Sequence, residues 1–102
     1  MKIRVVIADS RKIFREGLCA LLERHGDIKV IGEADEGQAA VKLAKALNPD
    51  VTLLNLAIAP QGTPEIIRQI RAAAPSMRVL VLTVRPDGAA IREILGAGAA
   101  GC

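Results

Sequence analysis

Three apolar runs in this chain end in side chains able to do chemistry. Ile3-Arg4-Val5-Val6-Ile7-Ala8 stops at Asp9-Ser10, Val51-Thr52-Leu53-Leu54 stops at Asn55, and Val79-Leu80-Val81-Leu82 stops at Thr83. Each run is continuous rather than alternating, which is how a strand covered by helices on both faces reads. In open parallel α/β sheets, ligands and chemistry collect at the carboxyl ends of the strands, where loops and helix N-termini converge. Asp9, Ser10, Asn55 and Thr83 are therefore expected to share one pocket. A carboxylate, two hydroxyls and an amide give that pocket a single negative charge. Asp9 has no His or Cys beside it to pass a proton, and Ser10 without a base partner reads more simply as a helix cap. No enzyme is expected.

The rest of the composition narrows the classes further. The chain has 102 residues, half of them apolar (51%), with Phe14 as its one aromatic. That length suits one domain with one core, here an aliphatic one, near the lower size limit for a wound parallel sheet. Net charge is +3, but the 14 Lys and Arg are scattered. They make no stripe that could track phosphates, and bases would find no Tyr or Trp to stack on, so direct nucleic-acid binding is not expected. Met1-Lys2 leads straight into a strand and no apolar window approaches the length of a membrane span, so a cytoplasmic protein is expected, away from membranes. Cys19 and Cys102 lie far apart without His or Cys at ligand spacing, and read as reduced thiols. His25, before Gly26, reads as a last-turn helix residue.

The elements that must position these groups alternate along the chain. Ser10 can cap a helix running to about residue 25, with Phe14, Leu18, Leu21 and Leu22 at core spacing and Cys19 off that stripe, exposed. Residues 28–33 form a second strand. Asp35 and Gln38 resemble a capping box for a helix that Asn48-Pro49 ends. After the third strand, Thr63-Pro64-Glu65 opens a helix as an N-cap residue, a first-turn proline and an acid, and Pro75 interrupts it. A fourth strand spans residues 78–84, and Asp87 opens a short helix through Ile91, Ile94 and Leu95. Each crossover is long enough for a helix, which predicts parallel strands with right-handed connections, an αβα sandwich.

Taken in order, Val5-Val6-Ile7-Ala8-Asp9, Phe14-Arg15-Glu16-Gly17-Leu18, Val30-Ile31-Gly32-Glu33-Ala34, Pro49-Asp50-Val51, Ile70-Arg71-Ala72-Ala73-Ala74-Pro75, Val79-Leu80-Val81-Leu82-Thr83 and Gly98-Ala99-Ala100-Gly101 give a chain that resembles the receiver domain of bacterial two-component response regulators, in its NarL/FixJ (LuxR-type) subgroup. The resemblance implies a flavodoxin-like parallel sheet of order 2-1-3-4, with the family's fifth strand and last helix missing. Residues 1–102 would then be one receiver-like domain, incomplete at its C-terminus and without an output domain.

The same resemblance implies that Asn55 stands at the phosphoacceptor position. An aspartate there attacks phosphorus and forms an acyl phosphate; an amide has no anionic oxygen for that step. Asp9 and Ser10 match the two acidic-pocket positions that hold Mg²⁺ in the family, and Ala57 the position whose carbonyl completes the metal set. Magnesium prefers several carboxylates and waters, so binding at Asp9 is expected to be weak or absent, and no cofactor is implied. Thr83 fits the switch hydroxyl, followed by a bulky Val84, and Ala59 replaces a loop proline that reappears one place later as Pro60. Cys102 falls at the aromatic-switch position.

Arg11 and Lys12 admit two readings, a new anion site at a helix N-terminus or solvated basic side chains. Residues 79–84 are expected to form an unpaired apolar edge that recruits another copy of the chain. The function implied is a degenerate, non-phosphorylatable receiver acting through protein contacts, with a sensor kinase or an output domain of a longer parent as further partners. The alternative is a small-ligand or anion-binding module at the strand ends.

Overall fold

The structure, a computed structural model, describes residues 2–55, 62–82 and 88–101. Strands and helices alternate: β1 (Ile3–Ala8), α1 (Lys12–Glu23), β2 (Ile28–Ala34), α2 (Gly37–Leu47), β3 (Val51–Asn55), α3 (Thr63–Ala73), β4 (Arg78–Leu82) and α4 (Gly88–Gly96). The sheet order is β2-β1-β3-β4 and all three pairings are parallel. Ala8 lies opposite both Ala34 and Leu54, and Asn55 opposite Leu82, so the strands end nearly level. That alignment brings the polar residues that follow β1 and close β3 to one edge of the sheet.

The two faces of the sheet are unequally covered. One carries α2, α3 and α4, whose Ala40, Ala44, Ile66, Ile67, Ile70 and Ile94 close a core with Ala8, Leu54, Val79 and Val81. The other carries α1, which buries no residue completely. Burial along β3 and β4 therefore alternates: Thr52, Leu54, Val79 and Val81 are buried, whereas Val51, Leu53 and Leu82 are half-buried and Leu80 is exposed. This corrects the reading of these two runs as covered on both sides, while β1 bears it out, with Val5, Val6, Ile7 and Ala8 all buried. An unbroken apolar run records what both faces can bury, and along β3 and β4 only the α2–α4 face buries it completely.

The same asymmetry corrects the expected core stripe of α1. Phe14 and Leu21 are 43% and 56% exposed, and only Leu18 and Leu22 are half-buried. Gly17, Phe14, Leu18 and Leu21 line an open apolar groove along the helix. A second one is lined by Val5, Leu22, Val51, Leu53 and Leu80. Cys19, expected to be exposed, is half-buried.

Helix ends follow different residues from those expected. Arg11, not Ser10, occupies the N-cap position of α1, with no side-chain cap bond, because Asp9 already holds the backbone N–H of Arg11. Glu36 rather than Asp35 caps α2, accepting from the Ala39 N–H at 3.1 Å. Thr63 is the first residue inside α3, with Gly62 at the cap, and is completely buried. His25 lies beyond the end of α1. The C-terminus of α2 ends as expected at Asn48, which is left-handed (φ 46°). There Arg4 donates to the carbonyls of Asn48 and Leu47 at 3.0 and 2.8 Å, placing a cation at the negative end of the helix dipole.

The edge of β4 is not bare. Gly98, at φ +115°, turns the chain after α4. Ala100 N–H then donates to Val79 O at 2.8 Å and Val81 N–H to Gly101 O at 3.1 Å, a parallel bridge between Leu80 and Gly101. The Gly-Ala-Ala-Gly segment thus begins a fifth strand position, and the edge expected to be unpaired is paired at this point.

Candidate functional site

Asp9 lies one residue past β1, where its N–H donates to Ala34 O at 3.0 Å and prolongs the ladder. Asn55 ends β3. The two side chains are 1% and 5% exposed, and Asn55 Nδ2 donates to Asp9 Oδ2 at 2.9 Å. The amide thus acts as a donor toward the pocket's acid. The expected grouping of Asp9 with Asn55 is present. Ser10 follows in the chain but is exposed, and Thr83, Ala57 and Cys102, with Val84, Ala59 and Pro60, lie outside the described residues.

Arg11 belongs to the site, through an ion pair with Asp9 that neither reading of it expected. Its backbone N–H donates to Asp9 Oδ1 at 2.8 Å, and its guanidinium closes side-on over the carboxylate, Nε to Oδ1 at 3.3 Å and Nη2 to Oδ2 at 3.2 Å. The guanidinium carbon also stands 4.2 Å from the centroid of the Phe14 ring, a cation–π contact that fixes the arginine from its other side. Arg11 is thus 47% exposed yet engaged with an acid of its own chain, while Lys12 is exposed, as the solvated reading expects. The signal was legible in local form. An aspartate commonly accepts the N–H two residues on, and an aromatic three residues beyond Arg11 sits on the same helical face.

Arg15 is a missed residue. Its Nη1 donates to the Asp9 carbonyl at 2.6 Å and its Nε to Glu33 Oε1 at 3.1 Å, tying the ends of β1 and β2 together.

An ionised carboxylate offers about four acceptor positions. At Asp9 they meet the Arg11 N–H, Nε and Nη2 and the Asn55 amide. A divalent cation at this carboxylate would have to displace one of these donors and then sit beside a guanidinium. Among the described residues no three His, Cys, Asp or Glu side chains stand together as a metal set.

Cys19, near Glu33, has a thiol pushed up to about 11, first by burial and then by the Glu33 carboxylate. A raised thiol pKa lowers the reactive thiolate fraction. In a Cys102→Ser background, alkylation of Cys19 at pH 8 is expected to run roughly a hundredfold slower than that of an ordinary cysteine and to rise until about pH 11. A rate plateau near pH 9 would contradict this environment.

A parallel, doubly wound sheet of order 2-1-3-4, with an acid after the first strand and a polar residue closing the third, is a flavodoxin-like arrangement of the kind receiver domains have. The chain belongs to the response regulator receiver domain family, whose profile matches residues 5–102. It is 37% identical over 100 residues to the probable transcriptional regulatory protein NarL of Mycobacterium tuberculosis, covering 98% of this chain and 46% of that protein. Against the transcriptional regulatory protein LnrK of Bacillus subtilis it is 38% identical over 99 residues, 97% of this chain and 45% of the relative. Among solved structures, the signal receiver domain of the Mycobacterium tuberculosis NarL superposes with a TM-score of 0.90 at 37% identity, covering 98% of this chain and 81% of that one. A LuxR-family response regulator from Aurantimonas sp. gives 0.91 at 30% identity, covering 99% and 72%. The chain is thus a two-component receiver domain of NarL/LuxR type, and it spans less than half the length of these curated relatives.

Proposed function

We propose that this receiver is degenerate and works without phosphorylation, through protein contacts. The observation that carries the reading is the 2.9 Å bond from Asn55 Nδ2 to Asp9 Oδ2. The position that would need an anionic oxygen to attack phosphorus bears an amide turned as a donor toward the remaining acid. Magnesium is bound weakly or not at all, because one carboxylate with its acceptor positions occupied is a poor site for a hard cation. No catalytic step is assigned to the domain.

Protein partners suit the surface. Ile13, Phe14 and Leu21 on α1, with Ile3 and Leu80 on the adjoining sheet, are large exposed apolar side chains, and exposed apolar patches mark contact sites. The relatives are transcriptional regulators of twice the length, so the partners proposed are a sensor kinase and an output domain of a longer regulator, or a second copy of the chain. The setting proposed is cytoplasmic, with no direct contact to nucleic acid or membrane; no helix among the described residues is long and apolar enough to cross a membrane.

Sedimentation with and without a small phosphodonor and magnesium tests this. The distribution of monomers and assemblies is expected to be the same in both. A donor-dependent shift would overturn the reading.

A further inference from the structure

Arg11 is placed to do more than neutralise an acid. Its guanidinium meets the Asp9 carboxylate side-on through Nε and Nη2, the ion pair spans a 47% exposed arginine and a 1% exposed aspartate, and the Phe14 ring stands behind the cation at 4.2 Å. A planar guanidinium matches a carboxylate with two parallel bonds that an ammonium cannot make together. Arg15 pairs with Glu33 at the neighbouring strand end through a single contact, Nε to Oε1 at 3.1 Å.

We infer that Arg11 is a built-in cation, holding the place on Asp9 that a divalent ion would otherwise take. The ligand class excluded is the small hard dication, and the exclusion has two physical sources. The first is occupancy: the carboxylate oxygens already accept from Arg11 and Asn55. The second is repulsion. A dication reaching the same carboxylate would lie within several ångströms of a guanidinium, where like charges in a partly buried site cost more than in bulk water. The pocket is thereby kept in one charge state whatever the magnesium level. This inference rests on the reading of a receiver that needs no phosphoryl group, and it attributes metal exclusion to Arg11 rather than to the missing acids alone.

The test separates those two causes. A pocket with its acids rebuilt, Ser10→Asp with Asn55→Asp, is compared with the same pocket also carrying Arg11→Gln, using manganous ion as probe and the loss of its free EPR signal as readout. Removing Arg11 is expected to tighten manganese binding by at least about tenfold, while Arg11→Lys in the same background, which keeps the charge, gives a smaller gain. In the otherwise unaltered chain, Arg11→Gln is expected to lower the melting temperature, and magnesium to restore part of the loss relative to sodium chloride of equal ionic strength. Equal manganese affinity with and without Arg11→Gln would overturn the inference. So would magnesium stabilising the unaltered chain as much as the Arg11→Gln variant. Neither result bears on phosphoryl capture, which is read separately by mass.

Discussion

An Asn55→Asp variant is expected to be less stable than the unaltered chain by about 2–3 kcal/mol at neutral pH without divalent metal, the order of a lost buried hydrogen bond together with a like-charge contact. Today Asn55 Nδ2 donates to Asp9 Oδ2 at 2.9 Å. The variant would place a second carboxylate oxygen at that distance, with both side chains almost fully buried. Arg11 could share itself between two acids, which keeps the estimate from rising further. For a domain of this size such a loss lowers the melting temperature by roughly 10–20 °C. Millimolar magnesium should return part of it, because a dication would then find two acids. Thermal melts with and without magnesium decide the matter; a variant as stable as its parent in the absence of metal would show that the amide-to-acid bond contributes nothing.

The second large effect concerns the unequal faces of the sheet. Leu54→Ala is expected to cost about 3 kcal/mol, within the range for a buried leucine. Leu54 is completely buried, within the core that α2, α3 and α4 close. That is a large share of the 5–15 kcal/mol typical of a whole domain. Leu21→Ala is expected to cost less than about 1 kcal/mol, as surface substitutions do, because Leu21 is 56% exposed on α1. Denaturant midpoints on the two variants measure the contrast. Comparable losses would mean that the α1 face is covered in solution, and the Leu21 effect should then depend on protein concentration.

Much of this architecture could be read from residue order alone. Continuous apolar runs, their ends in polar residues and the crossover lengths led to a parallel αβα sheet, its order 2-1-3-4 came from the family resemblance, and the grouping of Asp9 with Asn55 followed from chemistry collecting at strand ends. What stayed hidden depends on contacts between elements. Phe14 and Leu21 carry core spacing, and periodicity records only that a face could be buried, not that something lies against it. Leu80 and Leu53 show the same limit on the sheet.

At the site, Asn55 was legible because its departure from an acid is a matter of residue type. The role of Arg11 was legible only in part: the Asp9 contact to its N–H and the Phe14 spacing are local signals, but its side-on ion pair with Asp9 shows only in the structure. The caps illustrate local competition. Ser10 is a better N-cap by type, but Asp9 already binds the N–H of Arg11, and the helix begins one turn position later at Lys12. The pairing of Ala100 and Gly101 with β4 was not legible, because the edge was read as unpaired and the approach depends on a turn with Gly98 at a positive φ.

Phosphoryl capture itself is the most direct measurement. The unaltered chain, incubated with acetyl phosphate and magnesium and weighed intact, is expected to keep its mass, because the amide at residue 55 offers no nucleophile and Asp9 is held by Arg11 and Asn55. A stoichiometric phosphoryl adduct, mapped by peptide fragmentation to Asn55 or Asp9, would contradict the account.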